Sequence, residues 1–189
     1  MPGLISAIDT YYSFVTQQLV KLNAQITVNG QPQDLSLGGV TDAHDWPQTQ
    51  VTEGTVYLIN LNRQAMGGTI SQRQYCYYLQ WAWIVIGQDI PGTAIAANRG
   101  DRYRTNAQIE EFLRQANYPG FTQKTGVACD SQGNLTFTPS HSTLPLSGYE
   151  PLTWSELTFK SHEDEASGLI YGVATVELYA YSDVSALVA

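Results

Sequence analysis

Two short histidine–carboxylate groups are best suited by residue type to metal or acid–base chemistry. The first comprises His162, Glu163, Asp164 and Glu165. Consecutive side chains in a turn rarely converge on one ion, and no second cluster lies at a useful spacing, so we interpret this group as a solvated charged turn. The second group, Asp42-x-His44-Asp45, offers ligands or an acid–base pair, but it precedes Trp46-Pro47 in a loop rich in turn formers. We therefore predict no metal site and no acid–base pair.

A cysteine nucleophile would need a histidine beside its thiol. The two cysteines are Cys76 and Cys129, and the three histidines are His44, His141 and His162. Cys76 falls in the middle of a predicted strand among aromatic residues, and Cys129 lies in a loop without a recognisable nucleophile setting. Two cysteines are also too few for a disulfide framework or a zinc ribbon. We expect two buried free thiols that behave as small hydrophobic residues.

The remaining short motifs carry no catalytic signature. The chain contains no G-x-S-x-G, no P-loop and no G-x-G-x-x-G. Arg99-Gly100-Asp101 matches a cell-adhesion tripeptide, but it leads into a predicted helix. Asn134-Leu135-Thr136 is a glycosylation sequon, which has no meaning without a secretion signal, and the start M-P-G-L-I-S lacks one. The sequence predicts a non-enzymatic protein without catalytic, cofactor or metal residues, made in the cytoplasm.

The composition is typical of an assembly subunit. Only 14% of the 189 residues are charged, and 12 are tyrosines. Uncharged polar groups and tyrosine are desolvated at low cost and favour interfaces. The net charge is −8, and no run of lysine or arginine occurs, which disfavours specific DNA or RNA binding but is compatible with an acidic pore through which DNA slides. The chain has no run of about 18 apolar residues able to cross a bilayer.

The stretch from Arg73 to Gln88 predicts a long central strand, around which the other elements are organised. Its residues alternate with a period of two and are dense in aromatic and β-branched types. One face carries Tyr75, Tyr77, Leu79, Trp81, Trp83 and Val85, and the other carries Gln74, Cys76, Tyr78, Gln80, Ala82, Ile84 and Ile86. Because both faces are apolar in the C-terminal half, we expect cover on both sides there. The first half has one polar face, directed to water or to a partner.

Helices and further strands are predicted on both sides of this stretch. Helical periodicity marks residues 4–22 and a second helix beginning near Thr105, where Thr105-x-x-Gln108 fits a capping box. Strands are expected over 26–28, 51–61, 152–160 and 169–181. Loops are expected over 31–50, 64–72 and 129–150, the last with a small strand or hairpin. A charged turn is expected over 161–168, and a short tail from about 182. The strand over 51–61 and the central strand should pair as a hairpin. The small residues Gly172 and Ala174 suit a helix packed closely on the last strand.

This order of elements predicts one α+β domain over residues 1–189. We expect an antiparallel β-sheet with an N-terminal helix and a mid-chain helix packed on it, and long loops between strands.

The pattern resembles the ring-forming proteins at the head–tail junction of long-tailed bacteriophages, most closely the tail terminators. The likeness rests on the helix Leu4–Leu22, the hairpin of Val51–Leu61 with Tyr75–Ile86, the helix R-x-x-x-Q-I-E-E-F-L-R from Arg104 to Arg114, and the strand V-E-L-Y-A-Y from Val176 to Tyr181. It covers most of the chain, without a counterpart for residues 129–150. It carries over no individual site residue.

The resemblance implies a structural virion protein at the tail's head-proximal end. Such a subunit forms a ring, typically hexameric, that caps the tail tube and presents a surface to the head connector. Its partners would be further copies of itself, the tail tube protein and the connector or stopper protein, with loops 31–50 and 64–72 as contacts. DNA would pass through the lumen without specific binding, and no membrane is involved.

Three alternatives stay open. One is a head-completion or connector protein of the same neck. Another is a small-ligand-binding module with its pocket under Tyr75, Tyr77, Trp81 and Trp83. A hydrolase or metal enzyme rests only on the histidine–carboxylate groups.

Overall fold

Two α-helices and nine β-strands make up the described part of the chain. The computed structural model describes residues 7–28, 30–44, 52, 54–68, 72–86, 95–118, 141–144, 152–164 and 169–183. In chain order the elements are α1 (Ala7–Lys21), β1 (Gln25–Val28), β2 (Gln31–Asp34), β3 (Ser36–Asp42), β4 (Thr55–Gly68), β5 (Gln72–Val85), α2 (Ile95–Ala116), β6 (His141–Leu144), β7 (Leu152–Ser155), β8 (Thr158–Asp164) and β9 (Leu169–Asp183). The predicted α+β class is confirmed.

The predicted central strand, β5, lies inside a seven-stranded sheet. It pairs antiparallel with β4 on one side, forming the predicted hairpin, and with β9 on the other. The sheet continues to β3 beyond β4, and to β7 and β6 beyond β9, while β8 also pairs with β9. The sheet departs from the antiparallel prediction at β3, which runs parallel to β4. Residues 43–54 separate these two strands, which is long enough for a parallel connection.

Both helices pack on one face of this sheet. The face contains the alternate β5 residues Leu79, Trp81, Trp83 and Val85 together with Ile170, Ala174, Val176, Leu178 and Ala180 of β9, all buried. The helices contribute Tyr11, Phe14, Val15 and Leu19 from α1, and Ile109, Leu113 and Ala116 from α2. The predicted alternation of the central strand is therefore confirmed.

Each buried tryptophan of the described chain donates its indole N–H to a group on or beside a helix. Trp81 donates to the hydroxyl of Tyr11 on α1 at 3.1 Å. Trp83 donates to Asn106 Oδ1 on α2 at 2.9 Å, and Trp154 donates to the backbone oxygen of Asn117 at 2.8 Å. An unpaired buried N–H costs about 1–3 kcal/mol. These three bonds therefore favour one placement of both helices on the sheet.

Tyr11 and Asn117 extend this pairing into a network between four elements. The Tyr11 hydroxyl accepts from Trp81 and donates to Asn117 Oδ1 at 2.7 Å. Asn117 Nδ2 donates in turn to the backbone oxygen of Ser155 at 3.2 Å. Desolvation raises the pKa of the fully buried Tyr11, so its hydroxyl stays protonated and can donate and accept together. The network joins α1, the end of α2, β5 and β7.

Gly172 makes room for Trp83, its cross-strand partner. A Cβ added at Gly172 would lie 2.0 Å from the Trp83 indole. We predicted that the small size of Gly172 lets a helix pack closely on this strand. That reason is wrong, because the space beside Gly172 is filled by the Trp83 ring of β5.

The predicted capping box at Thr105 is wrong. The helix begins ten residues earlier, at Ile95, so Thr105 and Gln108 lie in its middle. Both side chains bind the backbone of Thr27 in β1 instead: Gln108 Oε1 accepts from its N–H at 2.7 Å, and the Thr105 hydroxyl donates to its oxygen. The polar pair satisfies the edge of a strand, which sequence spacing alone does not distinguish from a helix cap.

Two predicted loops contain strands. Residues 31–34 pair with β1, and 36–42 form β3, within the predicted loop 31–50. The hairpin extends through most of the predicted connection 64–72, because β4 continues to Gly68 and β5 begins at Gln72. The paired glycines at 67 and 68 predicted a loop. Gly67 lies instead within the strand, at a register shift, where it adopts a φ of 141° that favours glycine.

The predicted strand 152–160 is divided by a bulge. Residues 155–157 lie opposite only 176–177 of β9, so one extra residue is accommodated. The bulge shifts the alternation, and Trp154 before it and Phe159 after it both pack toward the helices. The predicted turn 161–168 begins as a strand, because 161–164 continue β8.

The last strand is longer than predicted. Residues 182 and 183, expected in the tail, pair with Arg73 and Gln72. Of the segment 129–150, β6 is the described part. Cys129 and Asn134 lie outside the described residues.

Replacing Gly172 by alanine should destabilise the protein. The new Cβ would force Trp83 or the β9 backbone to shift, which costs about 1–3 kcal/mol or more. Gly100→Ala is the control, because no atom lies within 4 Å of a Cβ there and alanine favours the helix by about 1 kcal/mol. Urea denaturation should give a lower midpoint for G172A and an unchanged or higher one for G100A. Equal midpoints for G172A and the parent would contradict this packing.

Candidate functional site

Strand β8 separates the members of the predicted charged group. His162 is exposed, whereas Glu163 lies on the opposite face. Glu163 accepts from the Tyr103 hydroxyl at 2.8 Å and from the Arg102 guanidinium at 3.5 Å. The predicted turn is a strand at these residues, and the Glu163 side chain is only 15% exposed because it joins β8 to α2. Among the described residues, no three His, Cys, Asp or Glu side chains are placed to hold a metal ion.

The second histidine–carboxylate group is spread along the end of β3. Asp42 accepts a hydrogen bond from the side-chain amide of Asn60 on β4 at 3.2 Å. His44 is exposed in the following turn, and Asp45 lies outside the described residues. The described contact of Asp42 is thus between neighbouring strands. The tripeptide 99–101 lies within α2.

Cys76 is a buried free thiol, as predicted. It lies between Gln64 of β4 and Tyr179 of β9 in the sheet register. Desolvation raises the pKa of its thiol, and hydrogen bonds with Tyr78 and Tyr179 act in the opposite direction. A raised pKa leaves little thiolate at neutral pH, so Cys76 is a poor nucleophile.

The aromatic face proposed for a ligand pocket is largely occupied by the core. Trp81 and Trp83 are 0% and 1% exposed, and protein atoms satisfy both indole N–H groups. Tyr12 stacks on Trp81 with ring centroids 6.1 Å apart. Only the tyrosines at the other end of the strand, Tyr75 and Tyr77, keep partial exposure.

One end of the sheet is a three-stranded segment with an exposed outer strand, here called the arm. It consists of residues 61–68 of β4, 72–78 of β5 and 177–183 of β9, paired in register. All seven β4 residues from 61 to 67 are exposed. Because alternate side chains point to opposite faces, neither face of this part of β4 is covered.

Two irregularities in β4 place apolar side chains on the surface of the arm. The register shifts between Asn60 and Asn62 and again between Ala65 and Gly67, so Leu61 and Met66 are the extra residues. Leu61 is 42% exposed and Met66 is 51% exposed. Bulges re-aim side chains and raise local twist. The arm therefore presents one apolar side chain at each end of a short regular segment.

The two faces of the arm carry different side chains. On one face, the Arg63 guanidinium lies 5.0 Å above the Tyr75 ring, a cation–π contact. On the other face, Tyr78 donates to Gln64 Oε1 at 3.3 Å, and the Tyr179 hydroxyl donates to Glu177. That second face corresponds to the predicted polar face of the central strand. Tyrosine and amide groups of this kind suit a protein interface.

An open groove of about 440 Å³ lies at the base of the arm, beside the bulge between β7 and β8. Its lining includes Leu61, Tyr78, Glu156 and Glu177. The groove is acidic and lies next to an exposed apolar residue of the arm.

Sequence reasoning missed Leu61, Met66 and the extent of the arm. Residues 62–65 are mostly polar, the two bulges interrupt the period of two, and the paired glycines at 67 and 68 suggest a loop. The sequence does contain one signal for the extent of the arm. The partner strand is predicted to begin at Arg73, and its tyrosines at 75, 77 and 78 would pack against a β4 that continues past residue 61.

A comparison of the chain with protein-family models and with curated proteins finds no match. Neither described helix is long and apolar enough to span a membrane.

Replacing Glu177 by glutamine should lower the pKa of Tyr179. The hydrogen bond to the Glu177 carboxylate is the main cause that raises this pKa, and a neutral amide removes the repulsion of the phenolate. Because the pKa of Tyr179 is higher in the folded than in the unfolded state, its protonated hydroxyl contributes to the free energy of unfolding. This contribution is complete below about pH 10 and is lost as the pH rises above that value. The loss of stability above pH 10 should therefore be smaller in E177Q.

Tyrosine labelled with ¹³C at Cζ allows the titration to be followed by NMR, with Tyr179→Phe assigning the resonance. Glu156→Gln is the matched control, because Glu156 contributes to raising the pKa of Tyr118 to about 12. It should shift Tyr118 and leave Tyr179 unchanged. An unchanged Tyr179 titration in E177Q would refute the assigned contact.

Proposed function

We propose that this chain is a ring-forming structural subunit of a phage tail, of the tail-terminator type. It caps the tail tube and joins it to the head connector, as part of the virion. The observation that carries the proposal is the arm: a three-stranded end of the sheet whose outer strand, β4, is uncovered on both faces, with apolar residues at its bulges and no net charge. The exposed outer strand of the arm, residues 61–67, adds nothing to the core of a monomer, whereas an assembly can bury it.

The rest of the fold supports the same proposal. The α+β sheet with an N-terminal helix on one face agrees with the architecture implied by the resemblance to tail terminators. The proposed partners are further copies of the chain, the tail tube protein and the connector or stopper protein. The acidic balance of −8 suits a lumen through which DNA passes without binding.

A connector protein of the same neck is the second candidate, since it would use the same kind of ring surface. Tail tubes and heads separate the two functions, because a terminator binds tubes whereas a connector binds the head portal. The ligand-binding alternative has no free surface at Trp81 and Trp83.

Native mass spectrometry and electron microscopy of the purified chain, alone and with purified tail tubes, test the proposal. We expect closed rings, typically hexameric, either free or formed at one end of the tubes, and arrest of tube elongation. A chain that stays monomeric and ignores tubes would contradict the proposal. Binding to heads but not to tubes would favour the connector.

A pair of surface variants tests the role of the arm. Met66→Ser removes an exposed apolar side chain from the arm, and Val20→Ser removes one that is 75% exposed on α1. Burying Met66 in an interface would contribute about 1–2 kcal/mol, so M66S should weaken ring formation about tenfold or more. V20S should assemble like the parent. Equal assembly of M66S and the parent would exclude Met66 from the interface.

A further inference from the structure

We propose that the outer edge of β4 in the arm pairs with a strand from a second copy of this chain. The contact is main-chain strand addition, and in the ring it joins each subunit to the next. This inference rests on the proposed function only for the ring; the contact itself is argued from the edge.

The outer edge of β4 loses its neighbour in the middle of the strand. The β3–β4 ladder ends at the pair Asp42–Asn60, followed by a bond of 3.1 Å from Ala43 N to Asn60 O. β4 then continues to Gly68, and within the described residues nothing pairs with that side of 61–68. An open edge of this kind offers N–H and C=O groups to an incoming strand.

The register shows which groups this edge offers. The backbone oxygen of Asn60 points away from β5, toward Ala43, so the opposite residue Leu79 directs its N–H and C=O toward β9. Tyr77, two residues along β5, also directs its N–H and C=O toward β9. The β4 residue opposite Tyr77 is Arg63, so the backbone groups of Arg63 point away from β5, and by alternation those of Ala65 do as well. The Arg63 N–H donates to the Asn62 side chain at 2.7 Å. The Ala65 N–H is the outward donor between the bulges that remains for a partner.

The two bulges make the edge selective. They restrict its regular part to four residues, 62–65, with Leu61 and Met66 at the ends. Bulges and short edges protect sheets against indiscriminate pairing. Here they leave a segment with a fixed register and an exposed apolar side chain on each side. This geometry suits one specific strand rather than open-ended aggregation.

Charge identifies a second copy as the occupant. Within the arm, Arg63 and Arg73 balance Glu177 and Asp183, so the net charge of −8 lies entirely in the rest of the chain. Contact between two arms brings no net charge together, whereas contact between the other parts of two copies is repulsive.

A ring requires head-to-tail contact between two different edges. The other edge of the arm is β9, whose described pairing with β7 ends at Tyr179. β9 runs parallel to β4, because both are antiparallel to β5. Glu177 directs its N–H outward to Ser155 Oγ at 3.0 Å, so by alternation Tyr181 does the same. We therefore assign Tyr181–Asp183 as the strand that meets β4 of the next copy.

Proline substitutions test this pairing because they remove one outward N–H each. Ala65→Pro blocks the β4 edge and Tyr181→Pro blocks the β9 edge, while Ala65→Val and Tyr181→Val keep the N–H groups. Self-association is measured without tubes by analytical ultracentrifugation, and folding by tryptophan fluorescence. Each proline variant should weaken self-association about tenfold or more, and the valine variants should not.

Mixing the two proline variants gives the decisive result. A head-to-tail contact leaves one intact interface between them, so A65P and Y181P should form heterodimers but no rings. Folded proline variants that assemble like the parent would overturn the proposal. A loss of assembly in A65P while Y181P still assembles like the parent would also overturn it. If the parent associates through these edges but ignores tail tubes, the terminator function fails while the contact stands. If A65P still caps tubes as a ring, the contact fails while the function stands.

Discussion

The buried indole N–H groups impose the constraint on which this structure depends. Three tryptophans of the described residues lie on one side of the sheet, and each needs an acceptor in a region that water does not reach. The acceptors come from Tyr11 on α1, Asn106 on α2 and the backbone at Asn117. Moving either helix would break at least one bond and open a cavity beside a large ring. Gly172 contributes by its lack of a side chain, which leaves room for the Trp83 ring against β9.

The lengths of the elements explain why the same sheet also has uncovered surface. At about 1.5 Å per residue, α1 spans about 22 Å and α2 about 33 Å, whereas the 14 residues of β5 span about 46 Å at about 3.3 Å each. The sheet is longer than either helix that covers it. The surplus includes the outer strand of the arm, where all side chains of residues 61–67 are exposed. A stable covered body therefore positions a surface that the body does not need for its own folding.

The sequence predicts the covered body better than the arm. Alternation identified the strands β5 and β9 and the two faces of β5, because packing against helices selects apolar residues at every second position. The capping box predicted at Thr105 and Gln108 was wrong because a polar pair can bind a strand edge as well as a helix end. The bulges at Leu61 and Met66 were not predictable, since each adds one residue and depends on pairing with a distant strand. The acceptors of the tryptophans lie 23 to 70 residues away in sequence, beyond the reach of local patterns.

Hydrogen–deuterium exchange of the chain before and after assembly tests the central claim that the arm is the assembly surface. In the free chain, the amides of residues 61–68 should exchange fast, and those of 79–85 slowly, because the latter lie in the middle of the covered sheet. On assembly, we expect slower exchange in 61–68 and 181–183, with little change in 79–85. Slower exchange confined to the helices, with the arm still exchanging fast in the assembled state, would contradict the account.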